Sequence, residues 1–401
     1  MPVLVAALGY FVDIYDLVLF SIVRVPSLKA LGIPEHELVQ TGVLLLNMQM
    51  AGMLIGGVLW GILGDKKGRL KILFGSILLY SIANIANGFV ASVPAYAAWR
   101  FIAGIGLAGE LGAGITLVSE SLAPHLRGYG TMIVASIGVS GAILANLVAG
   151  RFDWRNAYFI GGALGLFLLF LRVSVHESTM FARIASVENT KVSKGNFWAL
   201  CTQKRHLFKY LRSIFIGIPI WFIVGILMTF SPEFAANLAI TGPVSAGNAI
   251  MYCYLGLVFG DFASGLLSQL LQSRRKVLFV FLLLTAMSII SYFTLLHGGT
   301  PAQFYFICAA LGFSGGYWAI FVTIAAEQFG TNLRATVATT APNFVRGMVV
   351  PMTLAFQYGK QSVGILEAGA WVGALTWGVA FLCAVFLEET FGKSLDFLED
   401  T

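Results

Sequence analysis

The sequence is poor in charge, in histidine and in cysteine, and each shortage excludes something. Only 11% of the 401 residues are Asp, Glu, Lys or Arg, while 58% are hydrophobic. A soluble domain carries about 25% charged residues, so this chain uses lipid as part of its solvent. The remaining charge nets +6, too little and too localised for a nucleic-acid partner. The five histidines, His36, His125, His176, His206 and His297, fall in loops or at helix ends. Histidine is therefore missing from any intramembrane nucleophile and base pair, and proton handling falls to carboxylates. Cys201, Cys253, Cys308 and Cys383 show no paired spacing, so neither a disulfide framework nor a metal site is expected.

What the chain does have is apolar length. Runs long enough to cross a bilayer predict helices near 3–25, 38–62, 72–91, 95–119, 129–150 and 156–174, then 208–231, 245–270, 277–296, 302–326, 336–358 and 365–387. Twelve crossings of about 20 residues use roughly 240 residues, in keeping with the hydrophobic fraction. The first run lacks a basic n-region and a small-residue cleavage site, so it is expected to be a retained helix. Basic residues crowd one set of loops, among them Lys66, Lys67, Arg69, Lys71, Arg127, Arg274, Arg275, Lys276 and Arg334. That bias predicts cytoplasmic termini.

The halves of the chain repeat each other. Glu120, Leu126 and Arg127 recur as Glu327, Leu333 and Arg334, and Gly57, Leu59 and Leu63 recur as Gly265, Leu267 and Leu271. Parallel repeats are the mark of carriers that rock two helix bundles about a central site. The expected fold is an all-α integral membrane protein with twelve transmembrane helices in two pseudo-symmetric six-helix bundles. Residues 1–175 form the first bundle, 176–207 a cytoplasmic linker with amphipathic helices, and 208–401 the second bundle with a short tail.

Gly64-Asp65-Lys66-Lys67-Gly68-Arg69-Leu70-Lys71, between the second and third helices, resembles the cytoplasmic signature of the major facilitator superfamily. Arg100-Phe101-Ile102-Ala103-Gly104, continuing through Gly109 and Glu110 to Glu120 and Leu126-Arg127-Gly128, is similar to the metabolite:proton symporter and sugar-porter branches. Ala108 stands in place of one glycine of their pattern. The resemblance implies that Asp65 caps the eleventh helix, that Arg69 pairs with Glu120, and that Arg127, Glu327 and Arg334 complete a cytoplasmic gate. Glu327 would face Arg334 or Arg274. Drug:proton antiporters of this superfamily resemble one another in a proline-containing glycine run on the fifth helix, and Gly138 to Gly150 contains no proline. That absence argues against efflux; a drug:proton antiporter or an uncoupled uniporter is kept as the alternative to symport.

Ionisable groups at membrane depth are expensive, on the order of 2.5 to 3.5 kcal/mol by insertion scales, so each is a functional candidate. Asp13 and Asp16 share a face of the first helix, and Glu110 lies past the midpoint of the fourth. These three carboxylates are the candidates for proton coupling, with pairing of Asp13 or Asp16 to Arg24 or Arg100 as the structural alternative. Arg346, three residues after Asn343 and between Pro342 and Pro351, offers a guanidinium for a substrate carboxylate or phosphate. Its alternative is an ion pair with Asp261. Asn343, Gln49, Arg100, Asp261, Trp221 and Tyr317 complete the candidate substrate site; Trp221 and Tyr317 are favoured because the resemblance implies cavity contacts from helices seven and ten.

Two motif matches are set aside. Gly104 to Gly109 fits a dinucleotide pattern and Gly312 to Gly316 a nucleophile elbow, but both lie inside apolar helices where small residues serve packing. No cofactor is implied and no enzyme is expected. The expected function is secondary active transport of a small carboxylate or zwitterion with protons, by a monomer in the bacterial inner (plasma) membrane.

Overall fold

The computed structural model describes residues 2–67, 69–122, 127–171 and 197–393. Among the described residues no strand occurs, and nine helical rods are long and apolar enough to cross a membrane. The other three crossings fall short for visible reasons. The third, Arg69–Gly88, starts in the basic turn. The fourth, Val93–Leu107 with Glu110–Ser121, carries Arg100, Glu110 and Glu120 in its sequence. The eleventh, Thr331–Gly347 continued by Val349–Val363, is rich in Thr and Asn. Together they make twelve spans in two six-helix bundles.

The first span is Pro2–Ala30, the second Leu38–Lys67 and the sixth Trp154–Leu171. The fifth is Arg127–Val139 with Gly141–Ala149. The seventh runs as Lys204–Phe215, Ile218–Phe222 and a π-helical turn, Ile223–Met228, followed by a short helix, Ser231–Asn237. The eighth is Ala246–Leu270 and the ninth Arg274–Thr294. The tenth is Pro301–Gly315 with Trp318–Glu327, and the twelfth is Ile365–Val385. Helix Phe197–Thr202 precedes the seventh span, and the rest of the expected linker, up to residue 196, lies outside the described residues.

The chain is turned inside out relative to a soluble protein. Phe170, Phe306 and Trp371 are more than 70% exposed, whereas Asp13, Asp16, Arg24, Arg100, Asp261 and Arg346 are fully buried. Lipid accepts the aromatics, and a buried charge survives where another charge or dipole answers it.

Both rejected glycine motifs sit at close approaches. A Cβ at Gly104 would lie 2.1 Å from the Gln49 carbonyl oxygen, and one at Gly312 would lie 1.7 Å from that of Cys253. Glycine lets the fourth span touch the second and the tenth touch the eighth.

The halves meet along two seams, second span on eleventh and fifth on eighth. In the first seam the Thr353 hydroxyl donates to Asn47 Oδ1 at 2.9 Å. Further along, Leu54 meets Gly347, Gly57 meets Asn343, and Gly61 meets Thr340. The break in the fourth span frees a carbonyl at Ala108, which accepts from Asn343 Nδ2 at 2.7 Å, so the second half supplies a partner for the first.

Candidate functional site

Arg346 is fully buried where the two halves meet. Its guanidinium carbon lies 5.7 Å from the Trp221 ring centroid and 5.8 Å from that of Trp318. Nη1 donates to Asn343 Oδ1 at 3.4 Å, and Nη2 lies 3.7 Å from Asp13 Oδ2, on the opposite half. Nε and Nη2 have no hydrogen-bond acceptor among the described residues. A small void of about 10 Å³, the size of one water molecule, adjoins this group between the halves. Tyr10, Trp221, Tyr254 and Trp318 form its aromatic wall, and Ile14, Val139, Ile220, Val224 and Leu257 the rest. Trp318 Nε1 donates to the Tyr10 hydroxyl at 3.0 Å, which ties the tenth span to the first across the void.

A second charged centre lies within the first half. Arg100 donates to Gln49 Oε1 and stacks its guanidinium 4.7 Å from the Phe20 ring centroid. Asp16 lies beside Asn84, within the electrostatic reach of Arg100 and Asp13, and packs on Gly161 of the sixth span. The Tyr96 and Tyr158 hydroxyls, 2.7 Å apart, flank the same arginine. Glu110 is buried in the first turn of the second helix of the fourth span, where the N-terminal dipole favours a carboxylate.

The remaining candidates are dispersed. Asp261 accepts the Ala319 amide at 3.0 Å and so caps helix Trp318–Glu327 across the break in the tenth span. Its carboxylate answers a helix dipole, while the ion partner of Arg346 is Asp13. Tyr317 donates its hydroxyl to the Ile216 carbonyl at 2.9 Å and is not part of the void's lining. At the end of the molecule that carries the termini, Glu327 pairs with Arg274 at 3.3 Å and accepts the Thr390 hydroxyl. Arg334 is buried nearby in sequence, and the side chains of Asp65, Arg69, Glu120 and Arg127 lie outside the described residues.

At the opposite end stands a contact that sequence reasoning missed. Arg24 Nη2 meets Glu233 Oε1 at 2.6 Å, and the same arginine donates to the Leu38 and Thr229 carbonyls and covers the Phe230 ring. Thr229 also donates to the Ser21 hydroxyl at 3.1 Å. Arg24 is thus committed to the second half and not to Asp13 or Asp16. The one signal in the sequence is Ser231-Pro232-Glu233, a helix-start pattern directly after the seventh span.

The family profile of the Major Facilitator Superfamily matches residues 6–350. The chain belongs to this superfamily. As a member of the Major Facilitator Superfamily it is a membrane transport protein and not an enzyme. It is 25% identical to the niacin transporter NiaP of Acinetobacter baylyi, over 98% of this chain and 94% of that one. It is 24% identical to the inner membrane metabolite transport protein YhjE of Escherichia coli, over 85% and 82% of the two chains. In fold it resembles the proton:xylose symporter XylE, with a TM-score of 0.74, 17% identity, and coverage of 98% of this chain and 97% of that chain.

Proposed function

We propose that the protein is a proton-coupled symporter for a small organic anion, working by alternating access in the bacterial inner membrane with both termini cytoplasmic. The observation that carries this reading is Arg346, a buried cation between the halves whose Nε and Nη2 lack acceptors among the described residues. A carboxylate matches that pair of donors, and Asn343 orients the guanidinium from its other side. The side chains beside it are aromatic and aliphatic, and once they part to admit a ligand this lining suits a compact apolar scaffold bearing one anionic group. The niacin transporter relative supports the same class, since niacin is a ring carboxylate.

The buried carboxylates Asp13, Asp16 and Glu110 supply the proton sites. Arg24 with Glu233 joins the two halves and closes the outer end, while Glu327 pairs with Arg274 inside the second half and braces its inner end.

The test is accumulation of labelled benzoate and nicotinate in proteoliposomes under an inward proton gradient, with a pH dye inside. Carboxylate accumulation accompanied by acidification supports the reading. Accumulation of xylose or of a cationic dye, with both carboxylates ignored, sinks it.

A further inference from the structure

We propose that Asp13 and Arg346 form a counter-ion exchange site, in which the substrate carboxylate displaces Asp13 from the guanidinium and Asp13 takes up one proton for each anion bound. The inference rests on the anion-symport proposal, and adds which carboxylate carries the proton and in what ratio.

The two side chains are fully buried and 3.7 Å apart, on opposite halves of the molecule. That separation is an ion-pair contact, longer than a hydrogen bond, so charge holds them and an incoming carboxylate competes with Asp13 on favourable terms. A carboxylate added at Arg346 changes the charge of the site by one unit negative. In a water-poor interior such a change must be answered locally. One proton, taken from the solvent on the side to which the site is open and placed on Asp13 Oδ2, cancels it and leaves a neutral acid. When the anion leaves, the proton returns to solvent and Arg346 recaptures the aspartate.

Of the buried carboxylates near the site, Asp13 is the one paired with Arg346, so it alone loses its cation when the anion binds and its affinity for a proton rises most. Tyr10 and Asp16 lie on its own span, Tyr254 reaches it from the eighth, and Glu110 is buried on the fourth, which packs against the first. The phenols can only lose a proton, and Asp16 and Glu110 keep their own surroundings when the anion arrives. Asp261 lies beyond Tyr10 and is committed to the Ala319 amide. Arg100 is a further buried cation of the same half; it already engages Gln49 and Phe20, and its field falls on Asp16. The site is therefore neutral when empty and neutral when loaded, so both forms that cross the bilayer carry no unbalanced charge there.

The experiment adds benzoate to the purified protein in weakly buffered solution near pH 7 and counts protons taken up per anion bound. The expected count is about one, with the apparent Kd weakening by up to about tenfold per pH unit above the range in which Asp13 titrates, as one linked proton requires. Asp13→Asn should bind benzoate with little pH dependence and take up almost no proton, while Asp13→Glu should keep the wild-type count. Should Asp13→Asn fail to give a monodisperse sample, the wild-type count and Asp13→Glu carry the decision. Benzoate binding without proton uptake in the wild type, or a full proton taken up by Asp13→Asn, overturns the exchange site and leaves the anion reading standing. Absence of benzoate and nicotinate binding at every pH overturns both.

Discussion

Around the mid-depth of the first half the buried side chains are Asp13, Asp16, Arg100 and Glu110, whereas the corresponding region of the second half holds Trp221, Tyr254 and Trp318 with Arg346 and Asp261. The two bundles share a topology, yet here the first holds three carboxylates and one arginine, and the second one carboxylate and one arginine beside two tryptophans and a tyrosine. Duplication copies the helical skeleton, which is set by apolar length and small-residue contacts. The buried chemistry is free to diverge, because any one polar group needs only a local partner. Under proton-coupled anion symport, the first half manages protons and the second shapes the substrate site, and the Asp13–Arg346 pair is where the two tasks meet.

Removing the cation from the ring-lined half should break that division most severely. Arg346→Ala is expected to weaken benzoate binding by about 30-fold or more, since truncating one member of a buried charge pair costs about 2–5 kcal/mol. Arg346→Lys should recover only part of it, because an ammonium lacks the planar fork; isothermal titration distinguishes the two.

Next in size is the Arg24–Glu233 ion pair, which links the halves at the end of the molecule away from the termini. Charge removal by Glu233→Gln should shift the balance toward outward-open forms by roughly 5- to 100-fold, the range of an ordinary coupling energy. The measurement is the reaction rate of Thr229→Cys with an impermeant maleimide, in a background lacking the four native cysteines. An unchanged rate would mean that the seams alone hold that end shut.

A milder change sharpens the role of the rings. Trp318→Phe keeps the aromatic wall but deletes the donor to Tyr10, and should cost about fivefold in benzoate affinity, the worth of one neutral hydrogen bond. A loss as large as that of Arg346→Ala would show that the tenth span is misplaced without the bond.

The smallest effect concerns Glu389, beyond the last span. Partial burial raises its pKa, but hydrogen bonds from the Ser273 hydroxyl and the Phe391, Arg274 and Arg275 amides outweigh this and hold it below the ordinary carboxylate range. A depressed pKa stabilises the fold above the unfolded value of about 4.3, and the contribution is lost as pH falls through the folded value. Glu389→Gln should lower the thermal midpoint at pH 7 by no more than about 2 °C, with the gap closing in acid.

The positions of the spans are legible in the sequence because apolar length and the distribution of Lys and Arg are one-dimensional signals. Arg346 and Asn343 also stand out, as a charge and an amide at a depth where neither is cheap. The partners are not legible. Asp13 meets Arg346, and Arg24 meets Glu233, only because the two halves fold against each other, and a sequence window contains no information on that contact. Asp261 looks like a substrate group in sequence because the break at Gly316 and Tyr317, which creates the helix end that it caps, vanishes in a hydropathy average. Tyr10 and Tyr254 escape notice for a related reason, since a tyrosine in an apolar run looks like packing until the void beside it is known.

The π-helical turn at Ile223–Met228 has a mechanical consequence. It stores one residue more than α-helical winding would, and the Thr229 hydroxyl reaches back to the Val224 carbonyl at 2.9 Å across it. Rewinding that turn to α geometry would turn everything beyond it by about 100° and advance it by about 1.5 Å. Glu233 rides on the segment just beyond, so a single click of winding would carry it around the axis and off Arg24. Such a gate steps between two registers, and its stroke is set by the helix itself.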